Sequence, residues 1–142
     1  MHPQPISWAA GHAIRLLDQT LLPLDVHYLV LEQVDQVAEA ILHLRVRGAP
    51  LIGIAAAMGA TLAVRGSPAD PLGAVLHACD LLEATRPTAV NLPWAMARMR
   101  RRARQAAELG EPLHAALLAE ASAIWDEDRE MCRRIGEAGL PL

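Results

Sequence analysis

Two segments place an arginine just ahead of a helix start: V-R-G-A-P at Val46–Pro50 and T-R-P-T-A-V-N at Thr85–Asn91. The first turn of a helix leaves backbone N–H groups unpaired and carries a partial positive charge. Gly48 lets the backbone approach a ligand without a β-carbon in the way. The Arg47 guanidinium adds a forked donor that fits phosphate. Together these suit an anion, most simply a phosphate, at a helix N-terminus. In the second segment Thr88 and Asn91 offer a hydroxyl and an amide behind Arg86-Pro87. Taken alone, each turn is more simply a capping joint with a solvated arginine. Two of them in one small chain favour an anion site.

Other chemistries find little support. Gly48 and Gly53 have the glycine spacing of a nucleotide P-loop, but Ile54 stands where its lysine would be. There is no G-x-G-x-x-G fingerprint and no G-x-S-x-G nucleophile elbow. His2, His12, His27, His43, His77 and His114 are scattered, with neither H-E-x-x-H nor a cysteine at metal spacing. No metal site is therefore expected. Cys79 and Cys132 fall on apolar helix faces and read as core thiols in a reducing cytoplasm. Arg98, Arg100, Arg101, Arg102 and Arg104 read as a solvated face, because nucleic acid would want aromatic partners or a wider basic patch. Asp128, an acid among apolar neighbours, reads as a carboxylate paired with an arginine rather than a catalytic group.

The elements that must position these turns are mostly helical. The chain has 142 residues, the size of one ordinary domain. Its residues are 53% apolar but only 3% aromatic, with no Phe, so the core must be aliphatic. Lysine is absent, and the net charge of −3 gives no general attraction to nucleic acid or to a membrane surface. The opening M-H-P-Q-P-I-S-W lacks the basic start and apolar run of a signal peptide.

Strands are expected at Pro5–Trp8 and Ala13–Asp18, in a hairpin turning at Gly11, with a third at Asp25–Leu31. Val34, Val37, Ala38, Ile41 and Leu42 then repeat at helical spacing. Gly48 breaks that helix, and Pro50 suits the first turn of the next, which runs to about Val64. This second helix is uncharged from Ala49 to Val64, yet short of the roughly 20 residues a membrane span needs. It reads as a central buried helix, kept thin by Gly53, Ala57 and Gly59. Ser67, Pro68 and Asp70 resemble a capping box for a third helix, with Leu72, Val75, Leu76, Cys79 and Leu82 on one face. Asn91 caps a fourth helix that reaches about Leu109 and stops at Gly110. A fifth runs from about Pro112 to Ala138, with Leu113, Leu117, Ala121, Ile124, Met131 and Ile135 as its stripe. The expected class is α+β and mostly α: a small N-terminal antiparallel sheet over 1–31, then about five helices over 33–139.

Several separated motifs then agree on a family. L-R-V-R-G-A-P-L-I-G-I-A-A-A-M-G-A at Leu44–Ala60 and T-R-P-T-A-V-N-L-P-W-A-M at Thr85–Met96 resemble signatures of the methylthioribose-1-phosphate isomerases. Ile6–Trp8, Arg15–Pro23 and Glu127–Glu137 fit the same pattern, in the same order, over essentially the whole chain. That family sits in a wider group with ribose-1,5-bisphosphate isomerases and the regulatory subunits of a translation-initiation exchange factor.

The resemblance implies a cofactor-free aldose–ketose isomerase acting on 5-methylthioribose 1-phosphate in methionine salvage. It implies a homodimer in the complete enzyme and a cytoplasmic location. It places Arg47, Gly48, Ala49 and Arg86 against the phosphorylated sugar. It also implies that residues 1–142 form an N-terminal clamping domain. The family's catalytic cysteine and aspartate would then lie in a Rossmann-like C-terminal domain outside this chain, leaving no catalytic residue here. Two other readings remain: a regulatory module sensing a phosphosugar or nucleotide, and a helical interaction domain.

Overall fold

A computed structural model describes residues 5–21, 24, 26–43, 45, 49–66, 68–86 and 91–138, with side chains through Met131 apart from those of residues 21 and 49. Arg47, Gly48, Ser67, Pro87 and Thr88, and the side chains of Cys132 and Ile135, lie outside the described residues.

Strands β1 (Ile6–Trp8), β2 (Ile14–Leu17) and β3 (Tyr28–Leu31) form an antiparallel sheet in that order. The register pairs Ile6 with Leu16 and Ile14 with Leu31, which gathers these four buried side chains onto one face, while Leu17, next to Leu16, is buried on the other. The expected turn is centred correctly. Gly11 takes φ 70 and His12 takes φ 62, and the Ala9 N–H donates to Ala13 O at 2.7 Å. β3 starts later than expected, because its pairing with β2 ends at Leu17 and Tyr28. Val26, without a partner strand, is exposed.

Five helices follow. In α1 (Val34–Leu42), the Gln36 side-chain oxygen accepts from the backbone N–H groups of Glu32 and Gln33 at 2.7 and 3.0 Å, which closes its N-terminus. Val37, Ala40 and Ile41 face the core, while Leu42, placed in the stripe by periodicity, is exposed. The central helix α2 (Ala49–Thr61) continues as a 3₁₀ turn through Val64. It buries Ile52, Ile54–Met58 and Ala60 and packs against every other helix. A helix apolar on all sides needs that enclosure. Among the described residues no helix is long and apolar enough to cross a membrane.

Helix α3 (Pro71–Glu83) begins three residues beyond the proposed Ser67-Pro68 start. Asp70 is the true cap and accepts from the Gly73 N–H at 3.1 Å, with Pro71 at the first position. Both sites have a cap residue followed by proline, but a carboxylate also meets the positive end of the helix. Helix α4 (Asn91–Leu109) ends at Gly110, which has φ 70; Glu111 N–H donates to Ala106 O at 2.9 Å in a Schellman-type stop. Helix α5 (Leu113–Ala138) has 26 residues, about 40 Å at 1.5 Å per residue. Leu117, Ala121 and Ile124 are buried, whereas Met131 is exposed. Fully burying a residue such as Leu117 contributes roughly 1.5–3 kcal/mol.

Candidate anion site between two helix starts

The two helices that follow the arginine turns begin side by side. Gly53, in the second turn of α2, lies so close to α4 that an added β-carbon would sit 3.1 Å from Asn91 O and 3.6 Å from Ala95 Cβ. No other side chain fits so easily here, because the neighbour is backbone. A cavity of about 450 Å³ opens at this junction. Pro50, Gly53 and Ile54 supply its α2 wall, Asn91 and Trp94 its α4 wall. Glu127, Asp128 and Met131 close it from α5, with Ile124 beneath. One cavity thus combines two helix starts, an apolar surface and carboxylates.

Among the expected ligand residues, Ala49 is the first residue of α2, at the same junction. Arg86 follows the last turn of α3 and is half-buried; Thr85 Oγ1 donates to Leu82 O at 2.6 Å just before it. Arg86 is not among the described residues that line the cavity. Arg47 and Gly48 lie outside the described residues.

Of the two adjacent acids Glu127 and Asp128, Glu127 is the one paired with an arginine. Arg98 donates from both terminal nitrogens to the two Glu127 oxygens, at 2.7 and 2.6 Å, and from Nε to Glu120. Hydrogen bonds from Arg98 hold Glu127 below the usual carboxylate range, and those bonds raise Arg98 in turn. Asp128, one residue on, is half-buried and makes no side-chain hydrogen bond or ion pair among the described residues. Helical geometry explains the exchange: Glu127 points to α4, while Asp128 turns about 100° further toward the cavity.

The arginine run is also only partly a solvated face. Arg100 bridges Asp80 and Glu83 of α3 at 2.7 Å each, and Arg102 reaches Glu111 at 2.8 Å. Arg101 and Arg104 are exposed. Alternate arginines therefore fasten α4 to α5 and α3, a role that residue types alone did not reveal. Trp94 and Met131 were likewise missed as cavity residues; the first falls within a quoted motif, the second within an apolar stripe.

Cys79 is a core thiol, as expected: it is fully buried, and burial pushes its pKa up to about 11. The rings of His12 and His114 meet edge-on at 5.7 Å, joining the hairpin turn to the start of α5.

The fold is a sheet-capped helical bundle in which the starts of two helices adjoin at one cavity. The chain belongs to the initiation factor 2 subunit family, whose model matches residues 45–142. It is 46% identical over 147 residues to the methylthioribose-1-phosphate isomerase of Syntrophotalea carbinolica, covering all of this chain and 42% of that one. It is 52% identical over 134 residues to the isomerase of the same name from Anaeromyxobacter sp. strain K, covering 94% and 37%. Among solved structures, it resembles 5-methylthioribose 1-phosphate isomerase of Pyrococcus horikoshii (TM-score 0.78, 34% identity, 89% of this chain and 36% of that one). It also resembles translation initiation factor eIF-2B, subunit delta, of A. fulgidus (TM-score 0.76, 34% identity, 91% and 38%). The chain thus spans about two fifths of the curated relatives it matches.

Proposed function

We propose that this chain is the N-terminal, phosphate-clamping part of a methylthioribose-1-phosphate isomerase. The observation that carries the reading is the convergence of the α2 and α4 starts at one cavity, each start following an arginine turn. Arg47, Gly48 and Ala49 on one side and Arg86 on the other hold the sugar phosphate. Unpaired first-turn N–H groups add donors that a solvated arginine alone would not. The high identity to curated isomerases supports the substrate choice. Proton transfer between C1 and C2 of the sugar falls to a cysteine and an aspartate in a further domain, so the 142-residue chain binds without turning over. The complete enzyme is a cytoplasmic homodimer that needs neither metal nor organic cofactor.

The test is an amide-resolved NMR titration of the chain with 5-methylthioribose 1-phosphate and with inorganic phosphate. Saturable shifts at residues 47–49 and 86–91 are expected. Their absence, or isomerisation by this chain alone, would overturn the reading. In a complete enzyme, Arg86→Ala should weaken substrate binding by about 1–3 kcal/mol, the scale of a charged hydrogen bond.

The similar score against the eIF-2B delta subunit favours one alternative, a regulatory module that senses a phosphosugar or nucleotide. Nucleotide binding tighter than that of methylthioribose phosphate would select it.

A further inference from the structure

The α5 wall of the cavity carries charge of one sign. Glu127 and Asp128 line it, and no arginine or histidine among the described residues does so. Glu127 has both oxygens engaged by Arg98, at 2.7 and 2.6 Å. The Asp128 side chain is half-buried and has no hydrogen bond or ion pair among the described residues. It is therefore the one uncompensated charge among the described residues of the cavity wall.

The surface around Asp128 is apolar. Trp94 and Met131 line the cavity and are 54% and 58% exposed. Ile54 and Ile124 line it as well. Large apolar side chains left open in a cavity are suited to cover the apolar part of a ligand. Pro50 and Ile54 both line the α2 wall, and four residues of helix span about 6 Å. The cavity thus runs past the helix starts by about the length of a pentose chain. A phosphate carried to that depth would meet a free carboxylate away from bulk water, where like charges repel strongly. An uncharged sugar end meets no such penalty: its hydroxyls donate to the Asp128 oxygens, and its apolar substituent lies against Trp94 and Met131.

We propose that Asp128 is a specificity-determining residue, admitting a pentose 1-phosphate whose far end is uncharged and rejecting one with a second phosphate there. Discrimination comes from a charge placed against the competitor rather than from extra contacts to the substrate. The inference rests on the reading of this cavity as a sugar-phosphate site. The experiment titrates the labelled 142-residue chain with 5-methylthioribose 1-phosphate and with ribose 1,5-bisphosphate, following amide shifts in wild type, Asp128→Asn, Asp128→Ala and Asp128→Glu. Wild type should bind the monophosphate at least about tenfold more tightly, the scale of one partly screened charge contact. Asp128→Asn and Asp128→Ala should each gain bisphosphate affinity by about that factor, with a smaller change for the monophosphate. Asp128→Glu, which keeps the charge, should keep the discrimination. A loosened or unfolded variant would weaken both ligands, so a merely structural role cannot produce the gain, and either neutral variant suffices if the other does not fold. Wild-type affinities that are equal or favour the bisphosphate would overturn the inference alone, as would unchanged bisphosphate binding in a folded neutral variant. Binding of neither sugar would overturn the phosphate reading and this inference with it.

Discussion

The carbonyl oxygen of Asn91 lies 3.1 Å from the point that a β-carbon on Gly53 would occupy. Gly53→Ala must push the starts of α2 and α4 apart, since a backbone neighbour cannot swing away. A cost of about 1–3 kcal/mol is expected, as for other overpacked contacts. A lowered urea midpoint with an unchanged slope would show it. An unchanged midpoint would mean that the two helix starts are not tightly apposed.

Gly59 serves the same purpose on another side of α2. A β-carbon there would lie 2.7 Å from Cγ1 of Val37, a fully buried residue of α1. Val37 is β-branched and stiff at χ1, so it yields little. Gly59→Ala should therefore destabilise by about 1–3 kcal/mol, and the double variant Gly59→Ala/Val37→Ala should recover part of that loss. Additive losses in the double variant would contradict the contact.

The Arg98–Glu127 pair predicts acid sensitivity. Glu127 is held below its ordinary value of 4.5 in the folded chain. Its contribution is therefore fully present above that value and is lost as pH falls through the folded one. Thermal melts of wild type and Glu127→Gln should converge below the usual carboxylate range and separate at neutral pH. A gap that stays constant with pH would argue against the linkage.

His114 predicts a loss in a higher window. Burial, and then the charges of His12 and Arg65, lower its pKa from 6.5, and its Nε2 is buried without a partner among the described residues. The unfolded chain thus takes up the proton first, so stability falls as pH drops through 6.5 toward the folded value. His114→Gln should flatten that part of the melting profile relative to wild type. Identical slopes would dismiss the effect.

Cys79 should resist alkylation. A rise from 9.0 to about 11 lowers its thiolate fraction about 100-fold, before steric protection is counted. Peptide mapping after brief native treatment with iodoacetamide should find Cys79 unmodified, and modified once urea is added. Rapid native labelling would show that the α3–α4 interface opens readily.

Local signals determined much of this protein. Period-two and helical apolar patterns located three strands and five helices, because those repeats match the backbone geometry directly. Gly11 and Gly110 marked positive-φ stops that side chains seldom adopt. The charge-free stretch of α2 announced its central burial. Where two equivalent signals stood close together, as at Ser67-Pro68 and Asp70-Pro71, local reading chose the wrong one. Tertiary structure decided what distance along the chain conceals. The meeting of Gly53 with Asn91, the Asp18–Arg45 tie across 27 positions and the anchoring of α4 by alternate arginines all depend on how the helices cross. Periodicity says which face of a helix is apolar, but the crossing of that face with its neighbours settles which residues share a cavity.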